Sequence, residues 1–154
     1  MKKMQKKTEV MMLEEEARKG NVAALYNLGY IYLLGQNVEE DAKKAVTYFR
    51  RGATHSDGKC MQALAMCFRN GDGVEKDLEK MIYWLNNGVK IHDHGCMYQL
   101  ALCYEKGLGV AADFDRAVEL MKTAQEKNRD ARAWLKAHHI AVKRSFFKRF
   151  GGRS

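Results

Sequence analysis

The sequence predicts an all-α solenoid of three helix-pair repeats, each 36 residues long, flanked by an N-terminal and a C-terminal capping helix. Three observations predict it. The segments "NVAALYNLGYIYLLGQNVEEDAKKAVTYFRRGA" from Asn21, "DGKCMQALAMCFRNGDGVEKDLEKMIYWLNNGV" from Asp57 and "DHGCMYQLALCYEKGLGVAADFDRAVELMKTAQ" from Asp93 align without a gap at a spacing of 36. Four columns are identical in all three: Leu28/Leu64/Leu100, Gly35/Gly71/Gly107, Val38/Val74/Val110 and Asp41/Asp77/Asp113. The 154 residues contain no proline, which suits a chain made mostly of helix.

The elements follow in order. Residues 1–20 read as a capping helix, because "VMMLEEEARKG" over 10–20 matches the second half of a preceding repeat, with Leu13 in the Phe49 column and Ala17 in that of Ala53. The repeats occupy 21–56, 57–92 and 93–128. In each, Asn21, Asp57 or Asp93 is the N-cap of a first helix, its side-chain oxygen satisfying the free amides of the first turn. Positions 24, 28 and 31/32 set one apolar face at helical spacing. Gly35, Gly71 and Gly107 close that helix where the backbone turns left-handed, and Asn37, Gly73 and Gly109 suit a second such position. Asp41, Asp77 and Asp113 open the second helix, near the positive end of its dipole. The apolar face of that helix carries Ala45, Tyr48 and Phe49, then Met81, Trp84 and Leu85, then Ala117, Leu120 and Met121. Residues 129–150 read as one basic amphipathic capping helix with Leu135, His139, Val142, Phe146 and Phe150 along a stripe, leaving 151–154 as a tail.

The repeat also accounts for the cysteines. "SDGKCMQALAMC" and "HDHGCMYQLALC" resemble a metal or disulfide framework. Yet Cys60 and Cys96 fall in the Ala24 column, and Cys67 and Cys103 in that of Ile31, as small apolar core fillers. Seven residues along a helix separate the members of each pair by roughly 10 Å, too far for a disulfide or for one zinc ion. A fortuitous zinc site of His55, His92 and His94 is the weaker alternative, so no metal, cofactor or disulfide is expected.

The pattern A-x-x-x-L-G-x-x-Y-x-x-G-x-x-V-x-x-D-x-x-K-A-x-x-Y-F at Ala24–Phe49 resembles the Sel1-like repeat, a relative of the tetratricopeptide repeat. "LAMCFRNGDGVEKD" at 64–77 and "LALCYEKGLGVAAD" at 100–113 carry the heart of the same motif, with departures at Met81 for the usual alanine and Leu120 for the usual aromatic. The resemblance, over about residues 20–127, implies a right-handed α/α superhelical solenoid of about eight helices whose first helices line a concave face. Cysteine-rich secreted members of the family place a cysteine at the end of the second helix; here Ala53, Val89 and Gln125 stand there, so that disulfide ladder cannot form.

The resemblance further implies an adaptor or scaffold that holds a protein or peptide in the concave groove. Carried onto this chain, the groove residues are Tyr26, Asn27, Tyr30 and Leu33; Lys59, Gln62, Met66 and Arg69; Tyr98, Gln99, Leu102 and Glu105; and Trp134 at the far end. Aromatic residues with methionine and arginine suit a binding surface. Met66 and Leu102 are the ones most open to the plainer reading, packing against the next repeat.

The net charge of +8 belongs to the ends. Of 27 basic residues, Lys2, Lys3, Lys6 and Lys7 and then Lys136, Lys143, Arg144, Lys148, Arg149 and Arg153 lie in acid-free terminal segments, leaving 17 against 19 acidic residues. The C-terminal cations and phenylalanines offer an alternative function, electrostatic binding to an anionic membrane or nucleic acid, against a simpler role as the solvated face of a solenoid cap. A slightly acidic body without a stacking platform disfavours nucleic acid, and the cap reading disfavours a membrane. An enzyme is the third reading, since some secreted relatives bind or hydrolyse β-lactams. The chain has no Ser-x-x-Lys, nucleophile elbow, His-Glu-x-x-His or paired carboxylates, and His138 and His139 diverge by about 100° on a helix. Glutamates follow the basic start at once, leaving no apolar h-region, so the expected compartment is the cytoplasm.

Overall fold

The computed structural model describes residues 1–142, and for residues 2–7 the backbone only. The described residues form eight helices and no strand: α1 (Lys2–Arg18), α2 (Val22–Leu33), α3 (Ala42–Thr54), α4 (Gly58–Asn70), α5 (Leu78–Lys90), α6 (His94–Lys106), α7 (Phe114–Ala124) and α8 (Arg129–Ala137). They stack as a right-handed α/α solenoid of three repeats. Within repeats α2 packs on α3, α4 on α5 and α6 on α7; between them α3 packs on α4 and α5 on α6, while the first helices α2, α4 and α6 also meet directly. α1 closes on α2, and α7 on α8.

Every helix from α2 onward starts with the same device. Asn21, Asp57, Asp93 and Asn128 cap the first helices by accepting from the amides of Ala24, Cys60, Cys96 and Ala131. Asp41, Asp77 and Asp113 do the same for Lys44, Lys80 and Arg116 at 2.9–3.0 Å, so these aspartates bond directly as caps besides facing a dipole. Their own amides return to the carbonyls of Tyr32, Phe68 and Tyr104, which fixes the loop between the two helices.

Left-handed residues end the first helices. Gly71 has φ +83°, and Gly73 follows at +68°, where a Cβ would stand 2.2 Å from the Ala42 carbonyl oxygen. Ser56 and His92 are also left-handed, at +59° and +60°. Each sits after its helix while the next residue's amide bonds back to Gly52 or Gly88, the Schellman closure. His92 is therefore a turn residue, and the next residue, Asp93, is at once the end of one closure and the cap of α6.

The core is a row of columns. Leu25, Leu28, Phe49, Leu64, Met81 and Leu85 are fully buried in one cluster spanning α1 to α6. Met97, Ala117, Met121, Ala131 and Leu135 form a second between α6, α7 and α8.

At the C-terminal side the expected run-on helix does not form within the described residues. α8 stops at Ala137: His139 is left-handed at φ +54° and bonds to Lys136, and Ile140 bonds to Leu135 at 2.9 Å. Ile140 and Val142 then fold against the second cluster, the apolar contact that accompanies this closure. His139 is exposed instead of lying on the stripe. Phe146 and Phe150, with the cations from Lys143 onward, lie outside the described residues.

Candidate groove on the first helices

The expected groove residues lie in local groups of contacts along the first helices. On α2 the Tyr26 and Tyr30 rings meet edge to face at 5.0 Å, and both rest on Phe49, which anchors them to the core. Burial, then the neighbouring Tyr26, pushes the Tyr30 phenol up to about 12, so it stays a neutral hydrogen-bonding group. Lys59 of α4 reaches over Tyr26, its Nζ 5.9 Å from the ring centre, and links the first two repeats.

Along α4 and α6 the helices approach closely because Gly95 has no side chain. A Cβ there would stand 2.8 Å from Gln62 Oε1. Met66, Arg69, Gln99 and Leu102 share a small cavity of about 50 Å3 with Lys106 and Leu108. Met66 belongs to the edge of the first core cluster and Leu102 to that of the second, so both pack between repeats.

At the far end Trp134 of α8 donates from Nε1 to Glu105 Oε1 at 3.1 Å. Its indole stacks on His138 at 4.0 Å, and His138 Nε2 lies 3.5 Å from the same carboxylate oxygen. Phe114 of α7, half-exposed, completes this aromatic cluster. Tyr98 is partly buried nearby, its phenol pushed up by burial and then by Asp130 and Glu105.

An open cavity of about 490 Å3 lies at the other end, lined by Leu13, Tyr26, Asn27, Tyr30, Ile31, Leu34 and Gln36. Leu33 does not line it; it is partly buried against the main cluster, and the exposed side chain is Leu34. The signal was present in the spacing: from Asn27 the stripe i, i+3, i+4, i+7 runs through Tyr30 and Ile31 to Leu34. Leu13 belongs to α1 and no spacing within α2 points to it.

The cysteines are chemically quiet. All four are free and buried. Burial pushes each thiol up: Cys67 to about 11, and Cys60, Cys96 and Cys103 in the same direction, with Asp57 adding to the first of these and Asp93 to the second. A protonated thiol is neither a nucleophile nor a metal ligand. Among the described residues no group of three or more His, Cys, Asp or Glu is arranged to hold a metal ion. His55 bonds to its own helix at the Arg51 carbonyl, and His92 serves its turn. Among the described residues no helix is long and apolar enough to cross a membrane.

Solved structures show the same fold. A Sel1 repeat protein from Oxalobacter formigenes superposes with a TM-score of 0.79 at 26% identity, over 83% of this chain and 51% of that one. A protective antigen present in uropathogenic Escherichia coli strains matches with 0.73 at 23% identity, over 86% of this chain and 29% of its own. The Helicobacter pylori cysteine rich protein B matches with 0.65 at 22% identity, over 82% and 96%. This chain thus spans about half the Oxalobacter protein. No curated protein matches it. A family model described as the Sel1 repeat matches residues 22–57, 58–87 and 94–128, and with three such repeats in register the chain belongs to the Sel1 repeat family.

Proposed function

We propose that this chain is a non-catalytic protein–protein interaction module that holds a protein or peptide along the groove of its first helices. Sel1 repeat proteins typically mediate protein interactions. The observation that carries the reading is the open cavity where Tyr26, Tyr30 and Asn27 meet the exposed Leu34, apolar area beside hydrogen-bonding groups. The aromatic cluster of Trp134 and Phe114 offers a second anchor at the other end. A partner spanning both ends follows the groove as an adaptor's ligand does, and needs no cofactor. Cytoplasmic placement belongs to this reading, supported by four unpaired thiols.

The test is affinity capture from source-cell extract at near-physiological salt, comparing wild type with Tyr26→Ala/Tyr98→Ala and with the exposed-site variant Leu34→Asp. A protein retained by wild type and lost by both folded variants supports the groove. Ligands retained equally by all three and released by high salt refute it and move the function to the basic ends.

A further inference from the structure

Three inter-repeat junctions can be compared position by position, because the repeat spacing is 36 throughout. At the first, Glu14 of α1 fills the space beside α2 and α3. It accepts from Tyr32 Oη at 2.7 Å and from Lys44 Nζ at 3.1 Å, and Lys44 also donates to Tyr32 Oη at 2.6 Å. Tyr48 stacks on Tyr32 and closes the junction.

The second junction keeps the lysine but loses the carboxylate. Glu14 is replaced by Arg50, Tyr32 by Phe68, Lys44 by Lys80 and Tyr48 by Trp84. What remains between the second helices α3 and α5 is an open cavity of about 410 Å3, lined by these four with Tyr83, Val74 and Glu75. Arg50 makes no hydrogen bond or ion pair among the described residues. Lys80 sits 5.6 Å over the Phe68 ring and turns to Asp77 of its own helix at 2.8 Å, a solvent-exposed pair of the exchangeable kind. Tyr83 is 59% exposed and edge-on to Trp84. At the third junction the column holds Asn86, Tyr104, Arg116 and Leu120, with Arg116 seated on Tyr104 at 5.0 Å.

The geometry points to the α3–α5 cavity as a binding site for an acidic peptide, whose carboxylate takes between Arg50 and Lys80 the place that Glu14 holds one repeat earlier, and whose neighbouring apolar side chain rests on Trp84 and Tyr83. Three facts combine in this. The same fold position already seats a carboxylate against the equivalent lysine. An unpaired guanidinium is a fork suited to two carboxylate oxygens. Trp, Tyr and Arg are the residues most enriched where binding energy concentrates. Glu75 also lines the cavity and repels a carboxylate by like charge, so removing its charge should strengthen binding. The site lies apart from the first-helix groove, so one chain can engage two segments at once.

The two tryptophans make the test direct, Trp84 reporting this cavity and Trp134 the groove. The full chain, 15N-labelled, is titrated with acetyl-Glu-Leu-Glu-amide while the two indole N–H resonances are followed, Trp84→Phe assigning them. Expected is a saturable shift at Trp84 alone, weakened roughly tenfold or more by Arg50→Gln, as for a lost charged hydrogen bond. Glu75→Gln tightens binding, and salt weakens it. Arg50 and Glu75 are both exposed, so neither variant threatens the fold. The isostere acetyl-Gln-Leu-Gln-amide should leave Trp84 unmoved. An equal response to both peptides, a shift at Trp134 instead, or none at millimolar peptide overturns the proposal.

Discussion

The Cys60 thiol occupies the space that a side chain on Gly52 would need: a Cβ there would stand 2.2 Å from Cys60 Sγ and 2.8 Å from its Cβ. Gly88 and Cys96 repeat the arrangement one unit on, at 2.2 and 2.5 Å. At the last junction Ala124 stands in the glycine column and Ala131, three residues after its cap as Cys60 and Cys96 are after theirs, in the cysteine place, both fully buried. Volume is conserved across the contact, and one partner yields what the other takes. Gly52→Ala should therefore destabilise by about 1–3 kcal/mol through overpacking, and Cys60→Ala by roughly 1–2 kcal/mol through the cavity it leaves. The double variant, which recreates the Ala124/Ala131 pair, should cost less than the sum of the two. Denaturant unfolding of the four proteins checks it, and strict additivity refutes the complementarity.

The same burial makes a prediction about reactivity. With all four thiols buried and held protonated, an aromatic disulfide reagent near pH 8 should find almost none in the native protein and all four after unfolding. Rapid labelling of one native cysteine would show a local opening that the packing does not display.

Glu14 predicts an acid-side dependence. The hydrogen bond from Tyr32, foremost, and the Lys44 ammonium hold its carboxyl below the usual carboxylate range despite the opposing effect of burial. A depressed folded-state value means the stabilisation is present above the unfolded value of about 4.3 and is lost as pH falls through the folded one. Thermal melts from pH 7 to pH 3 should fall more steeply for wild type than for Glu14→Gln, which starts lower at pH 7. Parallel curves would place no ionised carboxylate in that network.

The turn at His92 offers a stabilising change. A non-glycine residue at φ +60° carries steric strain that glycine relieves. His92→Gly should raise stability by about 1 kcal/mol, less the extra entropy glycine brings to the unfolded chain. Gly71→Ala, at φ +83°, should lower it by a similar amount. Paired thermal melts give both signs.

Much of this molecule was legible in its residues because each repeat touches little besides its neighbours, so a local pattern repeated in register is already the global one. The caps at Asp57 and Asp93, the left-handed Gly71 and Gly107, and the burial of the cysteine columns all follow from steric rules acting within a few residues of each position. The end of α8 was not legible: "AWLKAHHIAV" keeps helical spacing beyond Ala137, and only Ile140 folding back on the core decides that the helix stops. Nor was the part that Leu13 of α1 plays in the cavity beside Tyr26 and Leu34, since no spacing within α2 reaches another helix.

The sequence by itself determined the repeat, the caps that start its helices and the buried columns of Leu28, Leu64 and Leu100 and of the cysteines, since periodicity and capping are properties of one chain segment. The tertiary structure alone decided which side chains from different helices share a space: Tyr26 with Lys59, Glu105 with Trp134, Glu14 with Lys44, and Arg50 with Trp84. Those meetings depend on the distance and rotation between packed helices, which the volumes buried between them set.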